Sequence, residues 1–216
     1  MHNPSMSRAA EPEPPPDKAT LRRQLRAERR TGAAQRDRGA DADSIASAVG
    51  AFLDTLPLPA ARLPADRSEY GGGPCVAIYR SLPSEPPTLA LAEMLHRRGV
   101  SVIVPEMLPD RDLDWHELGP DGSEGPALGL EAIRAAQVII TPALAVDHRG
   151  TRLGQGGGSY DRALARRRAD AVIVAIVNDQ EYAVGPLPRD AHDVSVHAVI
   201  TPGRGLMRIP DAGSVA

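Results

Sequence analysis

Five short apolar runs, separated by stretches with helical spacing, constrain the fold of this chain more than any other feature. The runs are rich in β-branched residues and do not alternate with polar ones, a pattern typical of strands buried on both faces. They cover residues 75–79, 100–104, 137–141, 171–177 and 196–201. Strands connected through helices form parallel pairs with right-handed crossovers. We therefore predict an α/β fold: a single-domain three-layer sandwich with a mostly parallel central sheet and helices on both faces.

Three helices are expected from the spacing of apolar residues and from capping signals. The first follows the capping residue Asp17, is strongly basic and stops at Gly32. The other two cover residues 43–56 and 87–98, where leucine, isoleucine and valine recur at helical intervals.

The segments without regular apolar spacing are predicted to be loops and tails. Proline and glycine indicate a loop over residues 57–74, whereas 105–129 fits either a loop or a small antiparallel excursion. The predicted domain spans residues 17–203, between a disordered tail over 1–16 and a flexible tail over 204–216.

Composition argues against several classes of protein. The formal net charge of -3 and the pI near 6.1 give no reason to expect a nucleic acid or a membrane surface as partner. No window approaches the ~20 apolar residues of a spanning helix, and no apolar signal core is present, so we expect a cytoplasmic protein. We also expect a monomer. Cys75, the single cysteine, excludes an intrachain disulfide and is expected to be a buried strand thiol.

The segment from Asp147 to Arg162 is the strongest candidate for a functional site. Its glycines can adopt positive φ and expose consecutive N–H groups, a geometry that binds phosphate. Arg152 offers a planar fork to phosphate oxygens, while Asp147 and Asp161 lie where a cation that bridges phosphates would need oxygen ligands. The segment therefore indicates a phosphate site, with a tight glycine-rich turn as the alternative.

Two familiar nucleotide-binding loops do not match this segment. A P-loop requires Gly-Lys-Ser/Thr, but the only lysine of the chain is Lys18. A dinucleotide fingerprint requires a third glycine at the position that Ser159 occupies here.

The same segment resembles the signature D-x-x-G-x-R-L-G-x-G-x-G-Y-Y-D of the 5-formyltetrahydrofolate cyclo-ligase family, also called methenyltetrahydrofolate synthetase. Lys18 and Arg22 match a lysine and an arginine four residues apart in the first helix of the family. Residues 79–85 resemble its strand-then-glutamate segment, and residues 187–193 resemble its late proline and His-Asp motif. The four motifs occur in family order. Ser159 departs from the pattern, since the family has two tyrosines where this chain has Ser159-Tyr160.

The resemblance implies ATP- and magnesium-dependent conversion of 5-formyltetrahydrofolate to 5,10-methenyltetrahydrofolate with release of ADP and phosphate. In the family's scheme, the formyl oxygen attacks the γ-phosphate and nitrogen 10 then closes the ring as phosphate leaves. Such chemistry depends on positioning phosphates and neutralising their charge.

The resemblance also assigns roles to residues of this chain. Lys18, Arg152 and Tyr160 are the implied catalytic residues, and Asp161 and Asp193 are the implied magnesium ligands. The implied ATP-binding residues are Lys18, Arg22, Arg152, Leu153, Gly154, Gln155, Gly156, Gly157, Gly158, Ser159 and Tyr160. The implied substrate-binding residues are Arg80, Glu85, Trp115 and Tyr160.

Structural alternatives remain open for several of these residues. Asp161 fits a helix cap, Asp193 a turn residue and Trp115 a core residue. We expect Asp147 to brace the glycine segment rather than bind metal. The remaining arginines of the first helix are expected to form a solvated basic face; they are Arg23, Arg26, Arg29 and Arg30.

Two rival functions stay open beside the cyclo-ligase. One is a non-catalytic homologue that binds nucleotide or folate, and the other is an ATP-dependent ligase for another formamide-like substrate. Joint retention of Lys18, Arg152, Asp161 and Asp193 favours catalysis over binding alone, because a simple binder needs no arrangement of metal and γ-phosphate ligands.

Overall fold

The computed structural model describes residues 17–58, 73–190 and 193–210. Its helices are α1 (Lys18–Ala33), α2 (Arg38–Leu53), α3 (Leu89–Arg97) and α4 (Ser159–Ala165). Its strands are β1 (Cys75–Ala77), β2 (Ser101–Met107), β3 (Leu113–Leu118), β4 (Glu124–Ala127), β5 (Val138–Pro142), β6 (Ala145–Val146), β7 (Arg152–Leu153), β8 (Val172–Ile176), β9 (Ala198–Thr201) and β10 (Gly205–Arg208). Two 3-10 helices cover Leu130–Ala135 and Asp179–Glu181.

Eight of the strands form one sheet in the order β10-β9-β8-β5-β1-β2-β3-β4. The five central strands pair in parallel, and antiparallel strands lie at both edges. The five central strands are the five apolar runs of the sequence, so the prediction of a mostly parallel sheet is confirmed. The small pair β6-β7 lies outside this sheet.

Successive residues of the central strands face opposite layers, as the pleat of a strand requires. Val76 of β1 packs in the core beneath α2 and α3, whereas its neighbour Ala77 packs in the core on the other face with α4 and the first 3-10 helix. Helices therefore cover both faces of the sheet. Cys75 is buried in β1, which confirms the expectation of a buried strand thiol, and burial raises the pKa of this thiol to about 12.

Helix α1 begins at the predicted capping residue, because the carboxylate of Asp17 accepts hydrogen bonds from the backbone N–H groups of Ala19 and Thr20 at 2.8 and 2.9 Å. Its Leu25 packs in a small core with residues that follow β5, among them Leu144. The helix therefore lies where the chain leaves the carboxyl ends of the central strands.

Two segments outside the five predicted strands also contain strands. They are residues 105–129, predicted as a loop or an antiparallel excursion, and residues 204–216, predicted as a flexible tail. Residues 105–129 form an antiparallel excursion, in which β3 pairs with β2 and β4 pairs with β3. The prediction of a flexible tail over 204–216 is wrong for Gly205–Arg208, because a turn after Thr201 brings these residues back alongside β9.

Other predicted segments fall partly or wholly outside the described residues: the tail over 1–16, most of the loop over 57–74, and residues 211–216. No helix in the described part of the chain is long and apolar enough to span a membrane.

Candidate active site

Three loops meet at the carboxyl ends of neighbouring parallel strands. They follow β1, β5 and β8, and they carry Glu85, the glycine segment and Glu181 respectively. Ligands of open α/β sheets bind in the crevice outside these strand ends. Because α1 also lies at this edge, its basic residues face the same loops.

The glycine loop, defined here as residues 150–158, is held rigidly at its start. Gly150 has φ 76, and a Cβ at this position would lie 2.5 Å from the carbonyl oxygen of Val196, so only glycine fits. Asp147 accepts hydrogen bonds from the backbone N–H groups of Arg149 and Thr151, both at 2.9 Å, and of Leu187 at 3.1 Å. The prediction that Asp147 braces the loop is confirmed.

One stripe of α1 connects the glycine loop with distant parts of the chain. This basic stripe comprises Lys18, Arg22, Arg26 and Arg29, which recur at helical intervals of three or four residues. Arg22 donates from Nε to the carbonyl oxygen of Gly154 at 3.0 Å, and Arg26 donates to Oε1 of Gln155 at 2.9 Å. The stripe therefore clamps the loop from one side.

Lys18, a predicted phosphate ligand, contacts Asp193, a predicted metal ligand. Its Nζ lies 2.7 Å from Oδ2 of Asp190 and 2.8 Å from Oδ2 of Asp193. Burial lowers the pKa of Lys18, but the hydrogen bonds with Asp190 and Asp193 outweigh this effect, so the pKa lies above its ordinary value. Lys18 is therefore fully charged at neutral pH.

Arg152 lies on β7 with its side chain almost entirely buried and forms an ion pair with Asp161 of α4. Its guanidinium carbon lies 5.9 Å from the ring centroid of Tyr160, close enough for a cation–π contact. Within the described residues, neither Nε of Arg152 nor the hydroxyl of Tyr160 has a hydrogen-bond partner. Buried polar atoms are normally paired, so both atoms are suited to a ligand.

Tyr160 is suited to donating a proton in a hydrogen bond rather than accepting a proton as a base. Burial raises the pKa of Tyr160 far above its ordinary value, although Arg152 works in the opposite direction. The phenol therefore stays protonated at neutral pH.

The interpretation of Arg29 as part of a solvated face is wrong, since only 6% of the residue is exposed. Its Nε and Nη2 each donate to the carboxylate of Glu181 at 2.6 Å, and Nη2 also donates to the carbonyl oxygen of Ala143. Nη1 lies 3.9 Å from Oε1 of Glu85. The spacing from Lys18 places Arg29 on the basic stripe, but the spacing alone does not distinguish a buried arginine from a solvated one.

The predicted substrate residues do not all lie together. Glu85 is buried, accepts a hydrogen bond from the backbone N–H of Leu82 at 3.0 Å, and faces Arg29. Arg80 is half exposed and forms an ion pair with Glu124 of β4. Trp115 is fully buried in the core on the α4 face of the sheet. The ring of Trp115 has no exposed surface in this structure, and its substrate role stays a prediction.

The two predicted metal ligands are each paired with a different cation, Asp161 with Arg152 and Asp193 with Lys18. In the described part of the chain, no three His, Cys, Asp or Glu residues are grouped to hold a metal. Magnesium at nucleotide sites uses one or two carboxylates, completed by phosphate oxygens and water. Asp161 and Asp193 thus have the donor chemistry that suits a cation arriving with phosphate.

Comparison with known proteins agrees with this geometry. The sequence pattern of the 5-formyltetrahydrofolate cyclo-ligase family matches residues 15–202. The chain belongs to this family. A 5-formyltetrahydrofolate cyclo-ligase from Mycolicibacterium smegmatis is 36% identical over 152 residues, which cover 63% of this chain and 78% of the relative.

Two solved structures share the fold of this cyclo-ligase family member. A 5,10-methenyltetrahydrofolate synthetase from Mycoplasma pneumoniae superposes with a TM-score of 0.62 at 18% identity, covering 85% of this chain and 97% of the other. The NMR structure of the Aquifex aeolicus 5,10-methenyltetrahydrofolate synthetase gives a TM-score of 0.61 at 22% identity, covering 91% and 95%. The family and the enzyme class implied by the four motifs, and the fold predicted from the apolar runs, are therefore confirmed.

Proposed function

We propose that this family member catalyses the ATP- and Mg²⁺-dependent cyclisation of 5-formyltetrahydrofolate to 5,10-methenyltetrahydrofolate, with release of ADP and phosphate. We further propose that it works in the cytoplasm as a monomer. The observation that carries the proposal is the contact between α1 and the glycine loop. Arg22 of α1 donates to Gly154 of the loop, whose own Arg152 pairs with Asp161, and Lys18, one turn earlier on α1, pairs with Asp193.

The cations of the site neutralise phosphate charge. Lys18 and Arg22 lie one turn apart on α1, so both side chains reach the same region beside the loop. Arg152 has its Nε unpaired within the described residues and offers it to a phosphate oxygen. Charge neutralisation and positioning supply most of the rate enhancement in phosphoryl transfer.

The carboxylates Asp161 and Asp193 are the residues that would hold Mg²⁺. When bound, the ion supplies charge neutralisation on phosphate oxygens. Lys18 and Arg152 hold both carboxylates in place beforehand, because each cation pairs directly with one of them.

The substrate side is formed by Glu85 and Tyr160. Glu85 accepts hydrogen bonds from the N–H donors of the pterin ring, and Arg29 and the backbone of Leu82 orient its carboxylate. The protonated phenol of Tyr160 donates a hydrogen bond to the formyl end of the substrate, since its hydroxyl is unpaired among the described residues.

Absorbance of the methenyl product tests the proposal directly. The full chain is mixed with 5-formyltetrahydrofolate, ATP and Mg²⁺, and reactions without ATP or with EDTA serve as controls. We expect product only in the complete mixture. ATP binding by calorimetry without product would contradict catalysis and indicate a non-catalytic binder. Hydrolysis of ATP driven by a different formamide would indicate the alternative ligase.

A further inference from the structure

Four positions of the glycine loop each lie against an arginine side chain. A Cβ built at these positions would approach Arg152 Nη1 from Gly154 (2.9 Å), the Arg22 guanidinium from Gly156 (3.4 Å), Arg111 Cδ from Gly157 (4.0 Å) and Arg162 Nη1 from Gly158 (3.0 Å). Arg22 and Arg152 belong to the phosphate site described above. Arg111 and Arg162, here called the rim pair, have no role in that site.

The rim pair is fixed by the fold. Arg111 lies in the turn between β2 and β3, and its backbone N–H donates to the carbonyl oxygen of Leu108 at 2.9 Å. Arg162 of α4 donates from Nη2 to the carbonyl oxygen of Arg111 at 2.6 Å. Arg111 has φ 67, a left-handed conformation that residues with a side chain rarely adopt. The side chain of Arg162 is therefore attached to the backbone of the turn that carries Arg111.

The charge of the rim pair is only partly neutralised by neighbouring carboxylates. Asp112 lies 3.9 Å from Nε of Arg162, but its carboxylate already accepts two hydrogen bonds from Arg166, at 2.9 and 2.5 Å. Within the described residues, the guanidinium of Arg111 has no hydrogen bond or ion pair. Both arginine side chains are exposed. An oxyanion can thus reach them without displacing a protein carboxylate from Arg111.

We propose that Arg111 and Arg162 form an anion subsite on the flank of the glycine loop, which binds an oxyanion of a substrate of the reaction proposed above. Folate carries carboxylates at its glutamyl end, and ATP carries phosphates, so either substrate offers the required chemistry. The glutamyl carboxylates are favoured over phosphate, because the rim pair is exposed and because Arg22 and Arg152 already lie against the loop positions proposed above to bind phosphates. A guanidinium fork matches the geometry of both groups.

Calorimetry of the full chain separates the two sources. Dissociation constants are measured for 5-formyltetrahydrofolate, for its triglutamate and for ATP with Mg²⁺, using wild type, Arg111→Gly and Arg162→Gln. Glycine adopts the φ of position 111 freely, so the melting temperature of Arg111→Gly should not fall. Arg97→Met, on the exposed side of α3, is the matched control.

We expect each rim variant to bind one ligand roughly three- to tenfold more weakly, as for the loss of one partly screened charged hydrogen bond. Weaker folate binding, with a larger loss for the triglutamate and unchanged ATP binding, identifies the glutamyl carboxylates. Weaker ATP binding with unchanged folate binding identifies phosphate. Unchanged constants in both variants, or equal losses for all ligands, would overturn the subsite.

Wild-type turnover is measured in parallel, so that the two proposals fail separately. A wild type that binds both ligands but forms no methenyl product contradicts the proposed function and leaves the comparison of dissociation constants intact. An active wild type whose rim variants bind normally contradicts the subsite alone. A wild type that binds neither ligand overturns both.

Discussion

Neighbours, rather than residue type, decide what each basic side chain of this site does. Lys18 is held by two aspartates at the surface, Arg29 is buried against Glu181, and Arg111 points to solvent without a described partner. A basic side chain that is already paired with a carboxylate must lose that partner to bind phosphate. A basic side chain without an ion pair binds phosphate without this cost. The consequences of substitution therefore differ from residue to residue.

Replacing Asp161 by asparagine removes the carboxylate that pairs with Arg152 and would hold Mg²⁺. We expect kcat to fall roughly 10- to 100-fold, as for other changes beside a metal, while the fold is kept. Steady-state kinetics over a Mg²⁺ titration measures the effect. Asp170→Asn, at an exposed ion pair with Arg168, is the control. Normal turnover of the Asp161 variant would remove this residue from the metal site.

Replacing Lys18 by alanine removes a charged hydrogen bond to phosphate. Such bonds contribute about 1.5–3 kcal/mol, so the KM for ATP should rise by roughly ten- to a hundredfold while the KM for folate changes little. Arg30→Ala, at an exposed position of the same helix, should leave both constants unchanged. An unaltered ATP requirement in the Lys18 variant would mean that Lys18 only ties α1 to Asp190 and Asp193.

At the scale of elements, α1 is attached to the molecule mainly through charged side chains. Leu25 is its one buried apolar residue among those described, with Leu21 partly buried beside it. Arg29 contributes a bidentate pair with Glu181, whose carboxylate also accepts from the backbone and side chain of Asn178 at 2.8 and 2.9 Å. Glu181 thus fastens α1 to the end of β8.

Replacing Arg29 by methionine leaves the Glu181 carboxylate buried without its cation. We expect a loss of about 3–5 kcal/mol in the free energy of unfolding, measured by urea denaturation. The double variant with Glu181→Met should recover part of this loss, because the uncompensated charge is then gone. A loss below about 1 kcal/mol for Arg29→Met would show that the pair contributes little to the attachment of α1.

The central sheet was predictable from the sequence because parallel strands that are buried on both faces consist of continuous apolar runs. It did not predict β10, since Gly205–Arg208 is a short edge strand with neither an apolar run nor strict alternation. Nor did it reveal the burial of Arg29, whose partner lies 152 residues further along the chain. A basic residue on a helix has the same local pattern whether it faces water or a distant carboxylate.

At the scale of the whole molecule, two histidines give opposite dependences of stability on pH. The pKa of His116 is raised by the carbonyl of Gly125 and then by Glu106, although burial opposes them. The stability that His116 contributes is therefore complete below pH 6.5, which is its pKa in the unfolded chain. It is lost as pH rises through the pKa of His116 in the folded protein. Burial and then Arg167 lower the pKa of His197. The stability that His197 contributes is therefore present above pH 6.5 and is lost as pH falls through the pKa of His197 in the folded protein.

Substitution of His116 separates its contribution to stability from that of His197. We expect the melting temperature of wild type to exceed that of His116→Gln by more at about pH 5.5 than at about pH 8.5, because only the protonated imidazole gains from Glu106. Differential scanning calorimetry measures both proteins at both values. Glu106→Gln, which keeps the histidine, should show a smaller dependence in the same direction. A difference that stays constant with pH would contradict the assignment.

Both outer strands of the eight-stranded sheet are four residues long, and each carries a residue that discourages pairing with another molecule. Strand β4 contains Glu124 and Pro126, and β10 ends at Arg208. Sheet edges with free backbone groups act as templates for aggregation, and short strands with charges or proline weaken that template. The five apolar strands between them, which would form fibres most readily if exposed, are thereby shielded in a crowded solution.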